Sequence, residues 1–216
     1  MIKAADPLRP AEILRGFADM AERSRAPDGD RQGDGWGVGR LNEKNEWDVY
    51  KSVLPVWEDR GVFDEIPAGR VFLVHARSAS FPQHKKTLSF NQPFTGGPFG
   101  FVFNGLLQGV SFPFPVAGQI GSQKIWTLLR EALKEQGPGE GLSRVAETLD
   151  KYSRRIAALN IGLANKTGLY ALCRSEDHPE YYGLRYFDTP ALKMICSEPL
   201  SGFEFQTVPT GRIFVL

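Results

Sequence analysis

Two stretches of the 216-residue chain combine residue types that grip carboxylates and stabilise oxyanions. The first is His75-Ala76-Arg77-Ser78-Ala79-Ser80, where a guanidinium just past an apolar run offers a planar, five-donor fork to a carboxylate. The second is Asn104-Gly105, a side-chain amide beside a backbone N–H that no Cβ crowds. Such a pair of donors suits the oxyanion of an acyl transfer. Each has a plainer reading: an arginine after a strand also braces loops, and Asn-Gly is also the dipeptide of a type I′ turn.

The elements that must position these residues are legible as patterns. Apolar runs at 71–74 and 99–103, rich in β-branched or aromatic residues and bounded by Gly or Pro, predict two buried strands that end at the candidate residues. Upstream, Ile13, Leu14, Phe17 and Met20 recur at helical spacing over 10–25, with Ala26-Pro27-Asp28-Gly29 as the stop. Asp34-Gly35-Trp36-Gly37 opens a hairpin whose second strand covers 47–52, and residues 53–68 have no clear pattern. The basic cluster His84-Lys85-Lys86 reads as a solvated loop.

Beyond residue 105 the spacing predicts a helix over 122–135, and a further helix marked by Leu142, Val145, Leu149, Tyr152 and Ile156. The period then changes to strands at 160–165, 169–173, 181–186, 192–196, 203–208 and 212–215, a meander of antiparallel strands. A sheet with alternating faces needs helices on one side and a second sheet on the other. The expected architecture is therefore α+β, a layered α/β/β/α sandwich with mostly antiparallel sheets, formed by residues 1–216 as one domain.

Charge is nearly balanced, 26 basic against 25 acidic residues, which leaves no electrostatic footprint for nucleic acid or an anionic membrane. No run is long and apolar enough for a membrane span, and Asp6, Arg9 and Glu12 make the opening too charged for a secretory signal, so a cytoplasmic protein is expected. Cys173 and Cys196 read as buried thiols of a reducing compartment. His75, His84 and His178 are dispersed, so neither a metal nor a cofactor is expected.

Taken together, HARSAS, Asn91-Gln92-Pro93-Phe94 and Phe101-Val102-Phe103-Asn104-Gly105 resemble the core signature of the class II, N-terminal-nucleophile glutamine amidotransferases, most similarly the short free-standing type. The DGWG run at 34–37, Ser197-Glu198-Pro199-Leu200 and residues 208–212 extend the likeness over nearly the whole chain. The resemblance implies the four-layer sandwich of N-terminal-nucleophile hydrolases and an attack by an N-terminal cysteine on the amide of glutamine or a γ-glutamyl compound. The chain's own α-amine would act as base and a thioester would follow. It also implies that Arg77 takes the substrate carboxylate, that Asn104 and Gly105 hold the oxyanion, and that Trp36, His75 and Ser78 lie in the pocket. Ammonia would go to water or to an accepting partner protein.

The chain departs from that pattern in three places. Gln92 and Phe103 stand where the family often has histidine. Ile120-Gly121-Ser122-Gln123 replaces the Thr-Asp-Ser-Glu type run whose aspartate takes the substrate ammonium. The opening is Met1-Ile2-Lys3, with no Cys, Ser or Thr in the first twenty residues. Either Met1 is the fourth residue of a Met-Cys-Arg-Met opening, or this is a degenerate, non-catalytic relative that binds a carboxylate or amino-acid ligand. A hydrolase of another kind, using Cys173 or Cys196, is the third reading.

Overall fold

The chain's residues 1–27 and 29–216 are described by a computed structural model; Asp28, inside the predicted helix stop, lies outside the described residues. In chain order the strands are β1 (Ile2–Leu8), β2 (Trp36–Leu41), β3 (Trp47–Ser52), β4 (Gly69–Ala76), β5 (Phe94–Gly96) and β6 (Phe99–Gln108), then β7 (Arg155–Ala164), β8 (Leu169–Ser175), β9 (Arg185–Asp188), β10 (Leu192–Cys196), β11 (Gln206–Thr207) and β12 (Ile213–Val215). The longer helices are α1 (Ala11–Glu22), α2 (Gly121–Ala132) and α3 (Pro138–Tyr152).

The strands form two antiparallel sheets, ordered β11-β9-β10-β1-β4-β2-β3 and β12-β8-β7-β6-β5. Burial falls into three layers. Leu14 and Ala18 of α1 pack on Trp36 and Phe72 of the first sheet, while Leu129, Leu142 and Leu149 of α2 and α3 pack on Phe101, Leu159 and Ile161 of the second. Between the sheets lie Val71, Leu73, Ala164, Ala171 and Cys173. The result is the α/β/β/α sandwich, and strand alternation decides which side chains reach its middle. On β4, Phe72 and Val74 face α1, whereas Val71 and Leu73 face the other sheet.

Several expectations are corrected. Residues 2–8, to which the sequence reading assigns no element, form β1, which pairs with both β4 and β10 at the centre of its sheet; their polar, Pro-containing sequence carries little strand signal. The strand at 99–103 continues to Gln108, so Asn104-Gly105 is neither a strand end nor a turn. Ile156 belongs to β7 and not to α3, because Ser153 ends the helix in extended backbone. Residues 179–182 are a helical turn, and the strand expected at 203–208 shrinks to 206–207. The C-terminal strands are not one meander: β7, β8 and β12 join one sheet and β9, β10 and β11 the other. Among the described residues no helix is long and apolar enough to cross a membrane.

Candidate functional site

Arg77 leaves the end of β4 still held by backbone pairing: its N–H donates to Gly35 O at 2.8 Å, and its carbonyl accepts the Asp34 N–H at 2.8 Å. Its side chain is only 7% exposed. One guanidinium nitrogen donates to the His84 carbonyl at 3.0 Å, and the group lies over the Phe90 ring, 5.7 Å from its centroid. Burial lowers the Arg77 pKa, an effect the Asp34 charge opposes. No carboxylate among the described residues forms an ion pair with it, since Asp34 pairs instead with Lys85 at 3.3 Å and accepts the Ala79 N–H at 2.8 Å.

Asn104 and Gly105 reach the same place from the opposite sheet. In β6, Phe101 and Phe103 pack toward the helices, so Asn104 points between the sheets. The edge of β6 beyond β5 is occupied by Gln92, whose amide oxygen accepts the Phe103 N–H at 2.6 Å while its nitrogen donates to the Phe103 carbonyl at 3.1 Å. Antiparallel alternation therefore turns the Gly105 N–H toward that same edge, away from β7. A side chain at Gly105 has no room: a Cβ would lie 2.5 Å from Ala158 O and 2.9 Å from the Phe103 ring.

Arg77, Asn104 and Gly105 line one cavity of about 370 Å³, together with Ser78, His75 and the first turn of α2. His75 sits at its inner end, its Nε2 3.1 Å from the Phe103 carbonyl. Desolvation, opposed by the carbonyl contact and aided by the Arg77 and Lys51 charges, brings its pKa down to about 4. The imidazole is neutral at pH 7. Beyond His75 and Asn104 lies a second, largely apolar hollow that the chain's leading residue lines. The Met1 α-amino group donates to Ile195 O at 2.8 Å, and burial depresses its pKa to about 6.

Trp36 is not in the cavity. Its indole is fully buried in the α1-side core and donates to Asp59 Oδ2 at 2.9 Å, because β2 turns Trp36 away from the face on which β4 carries His75. The glycines of the same run matter instead. A Cβ at Gly35 would run into the Asn91 side chain, and one at Gly37 into the Gln92 carbonyl, so both let the 91–93 segment lie against β2. Ser78 does line the cavity and donates to Asp30 from its hydroxyl.

One residue was not anticipated. Asn160, 3% exposed, stands opposite Asn104 on β7 and lines the inner hollow. The available signal was a single amide inside the apolar run at 159–164. The two thiols do not have the character of nucleophiles. Burial raises Cys173, whose sulfur accepts the Leu184 N–H at 3.3 Å, and pushes Cys196 up to about 12. Among the described residues no cluster of three metal-ligating side chains occurs.

No protein-family model matches the sequence, and no curated protein does. Solved structures do. The chain is similar to a glutamine aminotransferase class-II domain protein from Silicibacter pomeroyi, at 20% identity over 83% of this chain and 86% of that one, with a TM-score of 0.63. It is similar to a predicted glutamine amidotransferase from Pseudomonas aeruginosa at 21% identity, covering 84% of each chain with a TM-score of 0.56. Against the glutamine phosphoribosylpyrophosphate amidotransferase of B. subtilis the identity is 14%, over 99% of this chain but 46% of that one, with a TM-score of 0.65. At these identities the likeness is one of architecture, and this chain has the class II glutamine amidotransferase-like fold, a sandwich of the N-terminal-nucleophile hydrolase type.

Proposed function

We propose that this protein hydrolyses the side-chain amide of a glutamine-like or γ-glutamyl compound. The observation that carries the reading is the meeting, in one cavity, of a buried guanidinium without a carboxylate partner and the Asn104-Gly105 donor pair from the facing sheet. Arg77 would hold the substrate carboxylate by two parallel hydrogen bonds. The Asn104 amide and the Gly105 N–H would take the oxyanion as a sulfur attacks the amide carbon. The C–N bond then breaks, the nitrogen leaves as ammonia with the nucleophile's proton, and water cleaves the thioester.

The register of β1 supports the position of the nucleophile. Ile2 pairs with Phe72 and Lys3 with Val71, so a chain continued upstream in the same register would set its next two residues opposite Val74 and His75. Met1 packs between the sheets and Ile2 faces α1. By alternation, a cysteine two residues ahead of Met1 would again face between the sheets, opposite His75 and toward Asn104. The test is ammonia release from a panel of ω-amides by the present chain and by one extended with Met-Cys-Arg before Met1. Turnover by the extended chain alone is expected. Silence of both across the panel overturns the reading.

A second reading is favoured by one observation: no cysteine is among the described residues that line the cavity. The protein would then be a carboxylate-binding relative without chemistry. Ligand-induced increases in Tm that vanish in Arg77→Ala, with no ammonia released by either chain, are its expected signature.

A further inference from the structure

The charged side chains among the described residues that line the cavity have one sign. Of the described residues that line it, the ionisable ones are Arg77, Lys124, His75 and His84, and none is Asp or Glu. Lys124 is half-buried on the first turns of α2 and forms no ion pair among the described residues. Two acidic side chains lie just outside that lining and are engaged there: Asp34 pairs with Lys85 and accepts the Ala79 N–H, and Asp30 accepts from the Ser78 hydroxyl and the Arg31 N–H.

The helix end adds to this field. Ile120, the residue ahead of α2, has no side-chain acceptor, so the amides of Gly121 and Ser122, two residues of the cavity lining, have no cap from it. The Gln123 amide oxygen reaches back to accept the N–H of Gln119 at 2.8 Å and that of Ile120 at 3.4 Å, both ahead of the helix. Uncapped first-turn amides carry the positive end of the helix dipole. A buried guanidinium without an ionic partner, an ammonium and a bare helix start therefore share one wall system, and all of them favour anions and repel cations.

We infer that the cavity selects carboxylates whose α-position bears no free ammonium: ω-monoamides of dicarboxylic acids, or glutamine with its α-nitrogen acylated. The inference rests on the reading of Arg77 as the carboxylate site and deepens it. Free glutamine presents a carboxylate that Arg77 accepts and an ammonium for which no counter-charge lines the cavity. An acyl group in place of the ammonium's protons removes the charge and offers apolar surface to the wall formed by Leu106, Val110 and Phe112. Gly121 is the position that makes the selection reversible. A Cβ there meets nothing within 4 Å, and an aspartate at a helix start is well tolerated.

Calorimetric titration of the present chain with glutaric acid monoamide, N-acetylglutamine and glutamine tests the inference, because the three share the carboxylate and the ω-amide and differ at the α-position. The first two are expected to bind about tenfold tighter than glutamine, the scale of one partly buried charge interaction. Gly121→Asp should shift the ratio back toward glutamine by a similar factor. Glutamine binding as tightly as the other two, or no binding by any of them, overturns the inference. Should the aspartate variant fail to fold, the ranking on the unaltered chain decides alone. Binding in the expected order without ammonia release from the Met-Cys-Arg extended chain would leave this selectivity standing and remove hydrolysis.

Discussion

Asn104 on β6 and Asn160 on β7 stand directly opposite each other, both directed into the space between the sheets. The Asn160 amide donates to Tyr182 O at 2.5 Å, and its Oδ1 has no partner although it is buried. Asn104 therefore projects beside a fixed, acceptor-bearing neighbour. In Asn160→Asp, a buried carboxylate would face the Tyr182 carbonyl in place of the amide donor, a loss of about 2–4 kcal/mol at pH 8. The burial raises the new carboxyl's pKa, so the loss should shrink as pH falls and the group protonates. Denaturant unfolding at pH 5 and pH 8 measures the difference.

Arg77 sets binding against stability. Its guanidinium is buried without a carboxylate, so truncation removes a desolvated charge from the protein while deleting the group proposed to anchor a carboxylate ligand. Arg77→Met should leave Tm unchanged or raised and weaken a carboxylate ligand by about 100-fold. A fall in Tm matching the loss of affinity would mean that the residue braces the 77–84 loop instead.

The neutral state of His75 makes stability pH-dependent. Its folded pKa of about 4 lies below the unfolded value of 6.5, so the unfolded chain takes up the proton first. The His75 contribution is full above pH 6.5 and is lost as pH falls toward 4, to no more than about 3 kcal/mol. His75→Gln should flatten that part of the stability profile, read by unfolding at pH 4.5 and 7.

Two glycines separate packing from function. Gly105→Ala forces a methyl against Ala158 O and the Phe103 ring and should cost about 2–4 kcal/mol along with any activity. Gly121→Ala enters open space at a helix start and should be neutral or stabilising by up to about 1 kcal/mol. Thermal unfolding of the pair distinguishes them.

Cys173 and Cys196 should resist alkylation in the folded protein at pH 8, since burial holds both thiols protonated. Mass spectrometry after iodoacetamide treatment with and without denaturant checks this. Rapid labelling of Cys196 in the native state would reopen a role for the thiol nearest the α-amine.

Read along the chain, residue types and local spacing determined the chemistry on offer and most helices and hairpins: Arg77 after an apolar run, Asn104-Gly105, the faces of α1 to α3, and β2 with β3. Such signals live within one or two turns or one strand, where periodicity reports directly on burial. The tertiary structure alone decided that β1 is a central strand, that the C-terminal strands divide between two sheets, that Trp36 faces α1 and His75 the cavity, and that Asn160 answers Asn104. A period of two says that a strand has two faces without saying which covers what. That choice is made by pairing register between segments as distant as residues 2 and 194, which no local pattern encodes.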